Sequence, residues 1–365
     1  MSAALPRPDC VTVRAVGPWR SKVAVGAAIV DSGGTSCQIV DSGGSYCQNL
    51  YQEATMPDTG YFSDDSMIRR VMRKRAVGLT YGQRALVIGA VHPLLYVGTA
   101  ENTEHRTTPY TRLALTGRLF EAVFLGSRDE ADRALAFTRK KHVRVRGELP
   151  EDAGAHYPAG SGYSAMDPHL MFMTMAFTFD SAEVMHDLLV RRLATAERED
   201  LYQDYVRWGE LFGMPRDAAP ADYPAFRRYF DGYLASGDLH LTDEAQLVGS
   251  YLAGKQVPYP MPMPLHQVTS SVFLLIQGSL PARIREMYGI RWGTREELTF
   301  RAVARGVRTA HIKPPLTPGP LRNTLAGPSA PVYRMLTRRE HELVNSGRPS
   351  MPGVDPRTHA QRAAG

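Results

Sequence analysis

The sequence predicts an all-α fold, a single large helical bundle, on three observations. Apolar residues recur at helical spacing over most of residues 66–310, strand-like alternation is scarce, and helix-start signals precede the periodic stretches. With 365 residues, 43% apolar and 22% charged, the chain has a globular composition and enough length to bury a sizeable core.

Residues 1–65 stand apart. The ten residues from Ile29 to Gln38, Ile-Val-Asp-Ser-Gly-Gly-Thr-Ser-Cys-Gln, are followed at once by a near copy from Ile39 to Gln48. Two Gly/Ser-rich copies are too few to stack as a solenoid, and no Gly-Lys-Ser/Thr follows to make a phosphate loop. The segment reads as a low-complexity, disordered leader. The bundle is expected to begin at Ser66, capping a helix over 67–91 that Pro93 ends.

From Pro109 the sequence is again helix-like. Arg112 and Thr116, four residues apart, share one face. Ser127-Arg128-Asp129-Glu130 gives a cap and first-turn acids to a helix running to about Lys141, which places His142 at its C-terminal end. Asp167 as cap and Pro168 at the first helical position open the most apolar helix, expected to reach about Ala194. Further helical patterns cover 197–212, 221–235, 242–253, 267–288 and 294–308. Over 311–365 Pro, Gly and Arg dominate and apolar periodicity fades, so a tail is expected there.

Composition narrows the chemistry. Net charge is +6, and only six of the 43 basic residues are lysine, a skew that reflects codon bias. No dense basic stripe accompanies it, so no nucleic-acid partner is expected. The densest cluster, Arg139-Lys140-Lys141 with Arg144 and Arg146, reads as a solvated helix end. Cys10, Cys37 and Cys47 are the only cysteines, which removes thiolate-ligated haem, iron–sulfur clusters, cysteine nucleophiles and disulfides from the body of the protein. No secretory signal opens the sequence, and a cytoplasmic location is expected. The longest apolar run, Leu170 to Phe179, is ten residues, against the roughly 20 of a spanning helix. No transmembrane segment is expected; peripheral membrane contact stays open. His-Glu-x-x-His, Gly-x-Ser-x-Gly and Gly-x-Gly-x-x-Gly are absent, which disfavours common zinc protease, hydrolase and dinucleotide-binding functions.

His142 is the first candidate metal ligand. A histidine flanked by helices, with no cysteine nearby, is the minimum equipment for holding haem iron. The plainer alternative is an imidazole resting on the helix C-terminal dipole. An arginine at 112 suits a haem propionate or bound oxygen, and the Thr116 hydroxyl suits hydrogen-bond donation; the plainer alternative is a buried ion pair or cap. Glu183-Val184-Met185-His186 is a single Glu-x-x-His, whereas a ferritin-like di-iron site needs two. Met166, Met171, Met173 and Met175 read as core rather than as pocket lining.

The ordered set Arg-Leu-x-x-Thr (112–116), Gly126, His-x-x-Val-x-Gly (142–147), Tyr163 to Pro168 and Gly213-Met214-Pro215 resembles the MpaB and latex-clearing-protein family over roughly residues 68–300. That resemblance implies an all-α protein that binds haem b and oxidises or cleaves a hydrophobic, isoprenoid- or lipid-like small molecule with dioxygen. It implies that His142 is the proximal iron ligand and that Arg112 and Thr116 are functional. In the rubber-cleaving members a lysine precedes the threonine as second axial ligand; here Leu115 does. Phe172 and Thr174 stand where the family usually has Trp and His. Both departures point away from rubber as substrate. A non-catalytic carrier or sensor of haem or a hydrophobic ligand is the second reading, and a di-iron oxidase the third.

Overall fold

The computed structural model describes residues 27–30, 37–40, 60–254, 266–312, 329–348, 350 and 351. The chain divides into two units, 1–58 and 59–365. In the first, β1 (Ala27–Val30) pairs antiparallel with β2 (Cys37–Val40), Ala27 opposite Val40. The Ile-Val pairs of the two sequence copies thus both enter strands, because β-branched residues suit extended backbone. So the expected leader is not wholly without regular structure, and its last residues, 60–65, belong to the second unit, where Phe62 is buried in the core; the rest of it lies outside the described residues.

Among its described residues the second unit is all-α apart from one short hairpin. Its helices are α1 (Met67–Met72), α2 (Arg75–Gly89), α3 (Pro93–Glu101), α4 (Pro109–Leu125), α5 (Arg128–His142), α6 (Pro168–Leu189) and α7 (Thr195–Leu211). After them come α8 (Tyr223–Ala235), α9 (Asp243–Leu252), α10 (His266–Ser279), α11 (Ala282–Met287), α12 (Thr294–Ile312) and α13 (Ala330–Asn345). Between α5 and α6, β3 (Arg146–Glu148) pairs with β4 (Gly162–Ser164).

Helix α6 is buried nearly all round, as a helix apolar on every side must be. Helices α2, α7 and α12 pack around it. Met173 and Met175 belong to that core, as expected. Its Asp167 cap forms, the carboxylate accepting from Leu170 N at 2.9 Å. The Ser127 capping box also forms: Ser127 Oγ accepts from Glu130 N at 3.2 Å, and Glu130 accepts from Ser127 N at 3.0 Å.

Several boundaries differ from expectation. The helix expected over 67–91 is two, broken where Lys74 adopts extended backbone. Ser66 makes no capping bond; Asp204 of α7 accepts from Ile68 N at 2.9 Å instead, so a neighbouring helix caps α1. Pro93 does not merely end a helix but starts α3 at its first position. The stretch 267–288 breaks at Pro281, which cannot donate to the preceding turn.

The largest correction concerns the expected tail over 311–365. Residues 330–345 form α13, which packs on α4 with Tyr333, Leu336 and Glu340 buried. Gly117 permits the contact: a Cβ there would stand 2.7 Å from the Tyr333 ring. Glu340 matters most. Thr108 gives α4 no side-chain cap, and the buried Glu340 carboxylate accepts from Thr111 N and from Ser350 Oγ. A residue 229 positions away in sequence therefore holds the start of α4. Glu340→Ala is expected to lower the unfolding free energy by about 2–3 kcal/mol, the scale of charge-assisted bonds left unmade in the interior. A urea midpoint unchanged from the parent would refute that role.

Candidate functional site

Helices α4 and α5 form an antiparallel hairpin joined through Gly126 and Ser127. At 1.5 Å per residue, Arg112 and His142 lie similar distances from that turn, so both come to the same end of the hairpin. There, α2, α3, α4 and α9 surround a cavity. Its walls include Leu86, Ala90, Val248 and Leu252, and its polar members are Tyr96, Thr99, Thr103, His105, Arg106, Arg112 and Glu244.

The charges in the wall are unequally matched. Arg106 is buried, pairs with Glu244, lies 3.8 Å from Glu101 and donates to Ala100 O at 3.1 Å. The Tyr96 hydroxyl donates to Glu244 O at 3.0 Å. Arg112 is different: among the described residues its guanidinium has no hydrogen-bond or ion-pair partner. Burial pulls its pKa down to about 10, with Tyr96 pulling weakly the other way, so it still carries its charge at neutral pH. Thr116 sits one turn further along α4, half-buried, and does not line the cavity. Leu115 between them is exposed.

His142, the last residue of α5, is half-buried and its ring has no partner among the described residues. Burial lowers its pKa, so the imidazole is neutral at pH 7 and keeps a lone pair. It does not itself line the cavity. Lys141 beside it pairs with Glu104 at 3.2 Å, and Thr103 and His105, either side of Glu104, do line it. That pair ties the His142 end of α5 to the cavity rim.

Other residues went unremarked in the sequence. His92, 1% exposed, has both ring nitrogens without a partner among the described residues and sits among Tyr157, His169 and Tyr233, with ring centroids 5.7–6.2 Å away. Burial first, then the neighbouring His169, pushes its pKa down to about 4. The only signal was its place before Pro93. His186 is likewise held near pKa 4, by burial first and Arg191 second. Its neighbour in the Glu-x-x-His, Glu183, is engaged by Arg198 and accepts from Tyr223 at 2.6 Å, so it serves an ion network rather than a metal.

These two histidines set a pH dependence. An open chain binds their protons near pH 6.5, the folded chain only near 4. Their contribution to stability is complete above about pH 6.5 and is lost as pH falls through about 4, roughly 3 kcal/mol for each. Urea midpoints taken from pH 7 to pH 4 should fall, and less steeply in His92→Gln. Identical slopes for the two proteins would refute the assignment.

Fold and cavity together define an all-α protein with a chamber whose wall holds a cation, Arg112, that has no counter-charge among the described residues. Comparison with known proteins makes this specific. The chain belongs to the family described as ER-bound oxygenase mpaB/B'/Rubber oxygenase, catalytic domain, matched over residues 69–309. Uncharacterized proteins of Mycobacterium bovis and Mycobacterium tuberculosis are each 26% identical over 205 residues, 55% of this chain and 74% of the relative. No solved structure matches significantly. No helix among the described residues is long and apolar enough to cross a membrane.

Proposed function

We propose that this protein is a haem b-dependent oxygenase acting with dioxygen on a hydrophobic, isoprenoid- or lipid-like small molecule. The observation that carries the proposal is Arg112, a guanidinium without a partner among the described residues, in the wall of a cavity in a member of an oxygenase family. A half-buried cation without a counter-charge is costly, and an anionic ligand group removes the cost. A haem propionate is such a group.

The donor types suit that cofactor, with Arg112 in the cavity wall and His142 and Thr116 outside it. His142 offers a neutral imidazole nitrogen, would hold the iron, and is where the family resemblance puts the ligand. Bound haem would supply dioxygen chemistry that no side chain here has. The chain does the rest. Arg112 would orient the anionic edge, and Thr116, on the same face of α4, would donate a hydroxyl hydrogen bond. Leu86, Val248 and Leu252 would keep water from an apolar substrate. Leu115 supplies no second axial ligand and its side chain is exposed, which favours a substrate other than rubber.

Oxygen uptake by the haem-loaded full chain, offered an isoprenoid or a fatty acid, tests the activity. Haem spectra without uptake would make the protein a carrier. Arg112→Ala should weaken haem retention about ten- to hundredfold, the worth of a charge-assisted bond; retention equal to the parent would remove Arg112 from the site.

A further inference from the structure

The basic cluster at the end of α5 has no part in the proposal above. From Arg133 to Gly147 the chain carries six cations (Arg133, Arg139, Lys140, Lys141, Arg144 and Arg146), and no acid. All six are exposed. Between them stand two of the most exposed large apolar side chains of the described residues, Phe137 at 53% and Val143 at 56%. Single exposed apolar residues are ordinary. Here the arrangement is not random. At 100° per residue Phe137 and Val143, whose backbone keeps helical angles, flank Lys140 on the outward arc of the helix, roughly 120° apart. Arg133 and Ala136 fall between them. The inward arc is taken by Ala131, Ala134 and Thr138, all buried.

We infer that this face of α5 docks on an anionic lipid bilayer, Phe137 and Val143 entering the interface while the cations meet headgroup phosphates. An amphipathic helix surface with aromatic and aliphatic side chains among bases is what a negatively charged membrane surface attracts. A nucleic-acid backbone offers phosphates too, but it gives an exposed Val and Phe no hydrocarbon to enter. Few acids adjoin the face: Glu104 is engaged with Lys141, Asp129, Glu130 and Asp132 lie in the first turns of the helix beside Arg133, and Glu148 follows Arg146 in β3. Docking this way would also turn the His142 end of the hairpin towards the bilayer. The inference rests on surface chemistry alone and stands whether or not haem is bound.

Sedimentation of the full chain with vesicles tests it, using phosphatidylcholine alone and phosphatidylcholine mixed with phosphatidylglycerol. Binding is expected only to the anionic vesicles and should weaken with salt. Lys140→Glu with Arg144→Glu should reduce affinity at least about 30-fold, since each Lys or Arg at an anionic surface contributes about fivefold. Phe137→Ala should reduce it about tenfold with circular dichroism unchanged. Equal binding to neutral vesicles, no binding to either, or anionic binding that Phe137→Ala leaves intact overturns the inference. So does displacement of the protein from vesicles by duplex DNA that binds the Phe137→Ala variant as tightly as the parent.

Discussion

Purified His142→Ala protein is expected to lose the intense Soret absorption that the parent shows when haem is bound. Loss should be nearly complete, because an axial imidazole is the one strong protein bond to iron in a histidine-ligated site. The physical basis is the neutral, unpartnered ring at the end of α5. A control is built into the fold. His92 is a second neutral imidazole with free nitrogens, buried far more deeply. If His92→Ala abolishes the band and His142→Ala leaves it, the ligand has been misassigned; if neither changes it, the histidine-ligated haem proposal fails. Unchanged far-ultraviolet dichroism in both variants separates loss of haem from loss of fold.

The second large effect is on stability. Asp180 of α6 accepts from Arg84 of α2 at 2.7 Å and from Arg227 of α8 at 2.6 Å. Arg84 is almost fully buried and also donates to Ser181 Oγ at 2.8 Å and to Ser279 O. Asp180→Ala would leave that guanidinium in the interior without a carboxylate. The expected cost is about 3–5 kcal/mol, the range for breaking one side of a buried pair. Chemical denaturation with the Arg84→Met, Asp180→Ala double variant completes the test. The double variant should be less damaged than Asp180→Ala, because the uncompensated charge is gone. A double variant that is merely the sum of the two singles would show that the pair is not coupled.

The helices legible in the sequence were those whose ends are written locally. Ser127 with Glu130, and Asp167 with Pro168, cap their own helices, so α5 and α6 begin where expected. For helices held by distant partners the start was legible, since α1 and α4 begin at Met67 and Pro109 as read, but what holds it was not. The cap of α1 comes from Asp204, and the start of α4 is held by Glu340. A Pro- and Arg-rich stretch gives no local hint that Tyr333 and Leu336 will find a seat on α4. Of the site, the residue types His142, Arg112 and Thr116 could be picked from spacing and family resemblance. Which of them would be unpaired could not, since a counter-ion is supplied or withheld by other helices: Arg106 meets Glu244 of α9, while Arg112, six residues further on, meets none among the described residues.

By itself, then, the sequence determined the helical class, the family and the identity of the candidate ligands, because periodicity, caps and ordered motifs are local properties of the chain. Only the tertiary structure decided which charges are compensated, which imidazoles are dry, and that residues 330–345 belong to the fold. Burial and counter-charge are properties of what surrounds a residue, and those surroundings are assembled from segments more than a hundred residues apart.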